Sequence, residues 1–368
     1  RNEYLVQMLS ADASSHVLRE AITKLVDGII NGTLLSEITS VFRTVSVIAL
    51  EKSNGKVRPI GLVPNFRKLA GSIVISANSD NIGNILGQEQ LGIGVKGAAD
   101  ILAFGMRSLR LQEGSEELDL ITADATNGYG NCSRSAAREM ASLYFPTLLP
   151  MVDTFYTTES STLFRCGDEV HSLSCNEGFF QGDTISGLLY CLSIAPLIQL
   201  YKNRNPGDSL VIKAYLDDIT GVGPTKDGSA FLQHLRVEGP RYGYHLNPHK
   251  TRVLLGSANN RTLAVTAYSS ALDLHPDDDT LGSIILHPGE PSTYGAAIMG
   301  IPIGTDQYTD IWLQQKLEAL TEEAHRIQEF PDGQIQWTMA QQSLRHRVNH
   351  IYRGLPLSTV HAFKGQAN

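Results

Sequence analysis

The sequence predicts an α+β fold in which a small antiparallel sheet is backed by helices. Three observations carry that expectation. Asn54-Gly55 sits between two apolar runs in "SVIALEKSNGKVRPIGLVP" (46–64), a strong hairpin signal. "SLVIKAYLDDITGVG" (209–223) reads as strand, tight turn and strand. Around these lie segments whose apolar residues recur at helical spacing.

Taken in order, residues 1–45 read as helices. "SSHVLREAITKLVDGIING" has the helical period, with Ser14 or Ser15 as its N-cap. Helices return over 66–110, broken by the glycine-rich "QLGIGVKGAA" (90–99). "EELDLITADATNGYG" (116–130) is a strand running into a turn, and a helix follows through "SRSAAREMASLYF". A short hairpin is expected over 163–174 and a long helix from near Asp183, where Asp183 serves as N-cap. Residues 229–244 read as a helix and "HKTRVLLG" as a strand. The Asp/Ser/Pro-rich stretch 257–295 reads as short strands, and 308–354 as two helices.

The chain has 368 residues, long enough for two or three subdomains and a sizeable core. With 42% hydrophobic and 18% charged residues it has an ordinary globular balance, which argues against a disordered chain. The apolar run "ISGLLYCLSIAPLIQLY" (185–201) approaches membrane-span length, but Gly187, two serines and Pro196 favour a buried helix. The chain opens on Arg1 without a basic, apolar leader, so it reads as a fragment or processed chain with no signal peptide. Its four cysteines lack metal-ligand spacing and fit free thiols in a reducing compartment. An intracellular protein, cytoplasmic or nuclear rather than secreted, is therefore expected. The net charge of −8 argues against a uniformly basic nucleic-acid binder. Local stripes remain: Lys52, Lys56, Arg58, Arg67 and Lys68 in one, and Arg345, His346, Arg347, His350 and Arg353 in another.

The acids carry the chemistry. Asp124 ends the strand "LDLITAD", and the hairpin at 211–223 presents Asp217 and Asp218 at its turn. If these elements are neighbours in an antiparallel sheet, three carboxylates converge, and such a cluster calls for cations. Two divalent ions clamped in this way serve phosphoryl transfer. Taken alone, Asp217-Asp218 are better explained as turn formers, with Asp124 capping the next helix.

The neighbours change that balance, because the sequence resembles the reverse transcriptase family in chain order over most of its length. "KSNGKVRPIGLVPNFRKLAGSIV" (52–74) resembles the fingers hairpin that holds the incoming triphosphate, and "QLGIGVKGAADILAFGMRSL" (90–109) the segment beside the template. "ADATNGYGNCSR" (123–134) resembles the first catalytic motif, an Asp with an aromatic five residues on. "GFFQGDTISGLLYCLSIAPLI" (178–198) resembles the Gln-Gly loop and its helix, and "AYLDDITGVG" (214–223) the Tyr-x-Asp-Asp hairpin. "YGYHLNPHKTRVLLG" (242–256), "IMGIPIGTDQY" (298–308) and "LRHRVNHIYRGLP" (344–356) resemble the Lys motif, the primer-grip hairpin and the start of a thumb. The nearest likeness is to eukaryotic non-long-terminal-repeat retrotransposon enzymes.

The resemblance implies a right-hand polymerase fold: fingers with N-terminal helices over 1–110, a palm over 111–307 with a fingers-like insert around 135–175, and a partial thumb over 308–368. It implies a nucleotidyltransferase that copies an RNA template by extending a DNA primer 3′-hydroxyl with dNTPs, using two Mg²⁺ ions or Mn²⁺, away from membranes. Asp124, Asp217 and Asp218 would hold the metals, with Asp218 orienting or assisting. Lys250 would protonate the departing pyrophosphate, unless it is merely a solvent-exposed lysine. Tyr129 would be the steric gate against ribonucleotides, or else a buried core tyrosine. Gln181 and Gly182 would lie against the nascent base pair, although Gly182 also suits a helix-entry turn. Arg58 would grip phosphate beside Lys52 or Lys56, or else face solvent; Arg67 and Lys68 are weaker candidates.

"HPDDD" (275–279) reads as a solvated acidic loop, and "HRVNHIYR" (346–353), which lacks a third ligand, as a nucleic-acid-facing thumb helix or surface stripe. Asp119 lacks the aromatic five residues on and is left out of the site. The chain departs from the family where Phe180 replaces the usual proline and where Gly128 and Gly130 flank Tyr129. Its stretch 257–295 is also longer than the usual connection. Two other functions remain open: an RNA-dependent RNA polymerase, against which Leu216 and Tyr129 speak, and a domesticated non-catalytic scaffold that binds RNA or protein.

Overall fold

The computed structural model of the protein describes residues 13–51, 55–112, 114–157, 159–275, 277–355 and 359. Its chain forms two compact units that alternate along the sequence. One comprises Arg1–Val95, Ala125–Arg204 and Val237–His245; the other comprises Lys96–Asp124, Asn205–Arg236 and Leu246–Asn368.

The first unit is built on a four-stranded sheet of order β2-β1-β4-β5. Strands β1 (Val45–Glu51) and β2 (Val57–Leu62) form the expected antiparallel hairpin, in register from Ser46↔Leu62 to Glu51↔Val57. Strand β4 (Ser160–Cys166) lies parallel to β1 and antiparallel to β5 (Glu169–Cys175), so the second expected hairpin is present and slightly longer than its sequence signal. The helix Ser186–Arg204 is the core of this unit. Leu188, Leu189, Cys191, Leu192, Ile194 and Leu197 are all buried, and a helix apolar on every side belongs in an interior. No helix among the described residues is long and apolar enough to cross a membrane. The helix Asn65–Ala77 turns Arg67, Ala70, Gly71 and Val74 inward at positions three and four apart. The helix Ala13–Ile30 already contains both Ser14 and Ser15, and Ser15 is buried, so neither caps it as the sequence suggested.

The second unit is built on a five-stranded sheet of order β6-β7-β3-β8-β9. It contains β6 (Val211–Tyr215), β7 (Asp218–Pro224), β3 (Leu118–Ala123), β8 (Arg252–Leu254) and β9 (Ile285–Leu286). All neighbours are antiparallel except β8 and β9. At the start of β3, Asp119 is fully buried without a cationic partner among the described residues. Its oxygens accept hydrogen bonds from Thr225 Oγ1 (2.6 Å), Tyr268 OH (2.7 Å), Gly256 N (2.7 Å) and Asn259 Nδ2 (2.7 Å). Four donors replace the water that this carboxylate gives up. Gly228, on the helix Thr225–Glu238, lets that helix close on β3: a Cβ there would lie 2.5 Å from Tyr268 OH and 2.6 Å from Ile121 Cδ1.

The stretch 257–295 differs from expectation. Its first half is a helix, Arg261–Leu272, rather than short strands. Thr262, Val265 and Thr266 lean towards a strand locally, but Asn260 caps the helix by accepting a hydrogen bond from Leu263 N, and burial of Ala264, Tyr268 and Leu272 holds it down. Beyond it, β10 (Gly295–Ile298) and β11 (Ile301–Gly304) form a hairpin whose two turn residues, Met299 and Gly300, both have positive φ (51° and 73°). The helices Asp306–Gln328, Gly333–Met339 and Arg345–Gly354 follow, with Leu313, Ile351 and Leu355 as a small core of their own.

Candidate active site

The residues singled out from the sequence divide between the two units. In the second unit, the pairing Ala123↔Ile219 between β3 and β7, carried one step further, sets Asp124 against Asp218. The pairing Tyr215↔Asp218 leaves only Leu216 and Asp217 in the β6–β7 turn. Leu216 takes φ +55°, a left-handed conformation that glycine would adopt without strain. The turn therefore keeps a strained leucine beside its two acids. Lys250, in the short 3₁₀ turn Pro248–Lys250, donates from Nζ to Asp124 Oδ2 at 3.0 Å. Asn247 N donates to the Asp124 carbonyl at 2.8 Å and fixes the approach of that turn. The helix Gly128–Asn131 has Asn127 at its N-cap position, so Asp124 is not spent on capping.

Asp124, Asp218 and Lys250 line one cleft of about 190 Å³, with Ala297, Ile298 and Met299 of the β10–β11 hairpin on another side. The Asp218 carboxyl is pushed up to about 6. Loss of hydration is the largest cause, followed by the charges of Asp217 and Asp124, and Lys250 opposes the shift. Among the described residues, no three His, Cys, Asp or Glu side chains form a cage that holds an ion by itself. The donor set still fits a hard divalent cation. Mg²⁺ takes one or two carboxylates and completes its shell with water and substrate phosphate oxygens, and it would relieve the repulsion from Asp217 and Asp124 that adds to lost hydration in raising Asp218.

In the first unit, Tyr129 is half-buried and stacks on Tyr190, with ring centroids 5.0 Å apart. Its carbonyl accepts from Phe179 N at 2.7 Å. Gly178 packs on the backbone of Tyr129 and Gly130 so closely that a Cβ would meet Gly130 O at 2.2 Å. Gln181 is half-buried and Gly182 exposed. The Gln181 carbonyl accepts from Gly61 N of β2 at 2.7 Å, and Gly182, at φ +115°, passes the Gly61 carbonyl where a Cβ would be 2.4 Å away. Phe180 packs on Gly61 in the place of the expected proline. Lys56 and Arg58 lie exposed on the β1–β2 hairpin, while Lys52 lies outside the described residues.

Two expectations are corrected. Arg67 is fully buried and cannot present its guanidinium to a phosphate: Nη2 pairs with Asp183 Oδ2 at 2.5 Å and Nη1 donates to the Phe42 carbonyl at 3.1 Å. Burial opposes its charge, but Asp183 and Tyr156 outweigh that and raise its pKa. Asp183 is not the cap of the long helix, which begins at Ser186; its carboxylate is taken by Arg67 and by Tyr156 OH at 2.6 Å. The signal for Arg67 lay in the sequence, since it shares one helix face with Ala70, Gly71 and Val74. In the segment 346–353, His350 is half-buried and its Nε2 donates to the Met299 carbonyl at 2.7 Å. The acidic loop is solvated, with Asp278 holding Thr280.

Residues 50–282 match the family model described as reverse transcriptase (RNA-dependent DNA polymerase). The chain is 28% identical over 240 residues to the retrotransposable element SLACS 132 kDa protein of Trypanosoma brucei gambiense, covering 64% of this chain and 20% of that protein. Among solved structures, telomerase from Candida tropicalis in complex with a fragment of telomeric RNA aligns over 60% of this chain and 42% of its own, at 14% identity and a TM-score of 0.48. Telomerase from Candida albicans, also with such a fragment, aligns over 67% and 47%, at 13% identity and a TM-score of 0.46. The chain thus spans about a fifth of the length of the retrotransposon protein and under half of these telomerase chains.

Proposed function

The chain belongs to the reverse transcriptase family, and on that premise we propose that it is an RNA-directed DNA polymerase of the non-long-terminal-repeat retrotransposon type, built on a right-hand polymerase fold. It extends a DNA primer on an RNA template with dNTPs. The observation that carries the reading is the second unit's cleft, where Asp124 and Asp218 meet in register across β3 and β7 with Lys250 at Asp124. The five-stranded sheet takes the palm role, the four-stranded sheet the fingers role, and the helices from Asp306 the thumb role.

Asp124 and Asp217 would hold the divalent ions, with Asp218 assisting. Mg²⁺, or Mn²⁺ in its place, would lower the pKa of the primer 3′-hydroxyl and neutralise triphosphate charge. The strained β6–β7 turn keeps Asp217 and Asp218 fixed, so little reorganisation is needed as charge develops. Lys250 Nζ balances Asp124 before substrate arrives and gives a proton to the departing pyrophosphate. Tyr129, braced by Tyr190, bars a 2′-hydroxyl. Gln181 and Gly182 offer a donor, an acceptor and a bare backbone to the new base pair. Arg58, with Lys56, grips the triphosphate.

The test is dNTP incorporation on a primed RNA template with Mg²⁺ or Mn²⁺, beside Asp217→Asn. Incorporation by the parent and none by the variant is expected; equal incorporation, or none by either, refutes the reading. Tyr129→Ala should admit more rNTP, and an unchanged dNTP preference removes Tyr129 as the gate.

A further inference from the structure

The segment Gly178–Gly182 is tied at both ends to one buried cluster of charge. At its start, Arg134 Nε donates to the Gly178 carbonyl at 2.8 Å. Immediately past its end, the Asp183 carboxylate receives Arg67 Nη2 and Tyr156 OH. Tyr156 joins the two ties. Its ring has the Arg67 guanidinium 5.2 Å and the Arg134 guanidinium 5.3 Å from its centroid, with Phe179 edge-on at 5.0 Å. Its hydroxyl also meets Ser186 Oγ at 3.0 Å, on the first residue of the long helix. Arg67, Asp183 and Tyr156 are at least 94% buried, and Arg134 is 7% exposed. The Tyr156 phenol is pushed up by burial first and by Asp183 next, so it stays a donor.

Such a cluster is expensive to bury and is poor support for stability alone, because apolar residues of the same shape often do as well. What it does here is geometric. Between its two ties, Phe179 N holds the Tyr129 carbonyl, and the Gln181 carbonyl holds Gly61 N. Loosening either tie frees both contacts together. We propose that Arg67, Asp183, Tyr156 and Arg134 are positioning residues that fix Gln181 and Tyr129 relative to each other, and so set how tightly the incoming nucleotide is held. This rests on the polymerase reading for its substrate, but not for the tether itself.

Tyr156→Phe is the informative variant, since it removes one hydroxyl and leaves the ring and the ion pair. Its readouts are amide hydrogen exchange at Gly61, which reports the Gln181 contact without any activity, and dNTP KM against kcat. An increase in Gly61 exchange of about tenfold is expected, as for a lost hydrogen bond to a charged group. The dNTP KM should rise by a similar factor, with kcat within about twofold and the thermal midpoint nearly unchanged. Asp183→Asn should move both readouts further. If it fails to fold, Tyr156→Phe still decides. Parent-like exchange at Gly61 in Tyr156→Phe overturns the tether. Faster exchange with an unaltered KM overturns the link to nucleotide binding. Should the parent incorporate no dNTP, the polymerase reading falls and the exchange result alone stands for or against the tether.

Discussion

Two charged clusters in this protein follow opposite rules. In the first unit, Arg67, Asp183, Tyr156 and Arg134 are buried, and every charge has a partner of opposite sign or a carbonyl. In the second, Asp124, Asp217 and Asp218 stand at a strand end and a tight turn with Lys250 at Asp124, and loss of hydration, followed by the charges of Asp217 and Asp124, lifts the Asp218 carboxyl. The first cluster is balanced in charge, although Arg67 Nε and Asp183 Oδ1 find no hydrogen-bond partner among the described residues, and it holds a shape. The second gathers carboxylates of like sign beside one another, and a divalent cation would relieve their repulsion. Charged residues alone therefore do not mark a site; the balance of charge around them does.

The comparison breaks most directly through activity. Asp124→Asn should lower dNTP incorporation by about 10³-fold, equivalent to ~4 kcal/mol of transition-state stabilisation, while the thermal midpoint holds or rises because repulsion is relieved. A steady-state assay beside a melting curve checks this, and a midpoint that falls with the activity would mean that Asp124 is structural. Arg67→Met should do the reverse. It leaves Asp183 buried without its cation and should cost about 3 kcal/mol of stability, read by denaturant unfolding. An unchanged midpoint would show that Asp183 finds another partner.

Asp119 sharpens the same contrast, since it lies on the same strand as Asp124, five residues away. Asp119→Ala strands four donors and should cost about 2 kcal/mol, with metal dependence of the reaction unaltered. A shifted Mg²⁺ requirement would instead connect Asp119 to the cleft of Asp124 and Asp218.

How much of this was legible follows from which forces are local. The β1–β2 hairpin, signalled by "NG" in the sequence, and the β6–β7 turn are written in a few adjacent residues, so sequence locates them. Asp124, Asp217 and Lys250 are far apart in the chain. They could be grouped only through the order of motifs, and the register of β3 on β7 is what brings Asp124 to Asp218. Arg67 was misread because it follows a basic hairpin, and its burial is decided by Asp183, 116 residues on. Its place on the inward face with Ala70 and Val74 was the available sign. The helix Arg261–Leu272 was missed because its β-branched residues resemble a strand, although Asn260 three residues before Leu263 is a capping pattern.

The smallest expected effect lies in the pH dependence of the metal-free protein. The folded Asp218 carboxyl titrates at about 6, above the ordinary carboxylate value of 3.8. The folded state then binds this proton more tightly than the unfolded chain, so stability rises as pH falls from about 6 towards 4 and is lost again above 6. Asp218 is exposed as a residue although its carboxyl loses hydration on the cleft side, so solvent keeps the shift's effect small and a gain of only a few degrees in thermal midpoint is expected. Measured in chelator between pH 7 and 5, the rise should vanish in Asp218→Asn. At pH 7, added Mg²⁺ should produce a comparable rise in the parent and a smaller one in Asp217→Asn, because a bound cation relieves the repulsion that protonation removes. A parent midpoint that ignores both acid and Mg²⁺ would separate the raised carboxyl from metal binding, and the second cluster would then resemble the first.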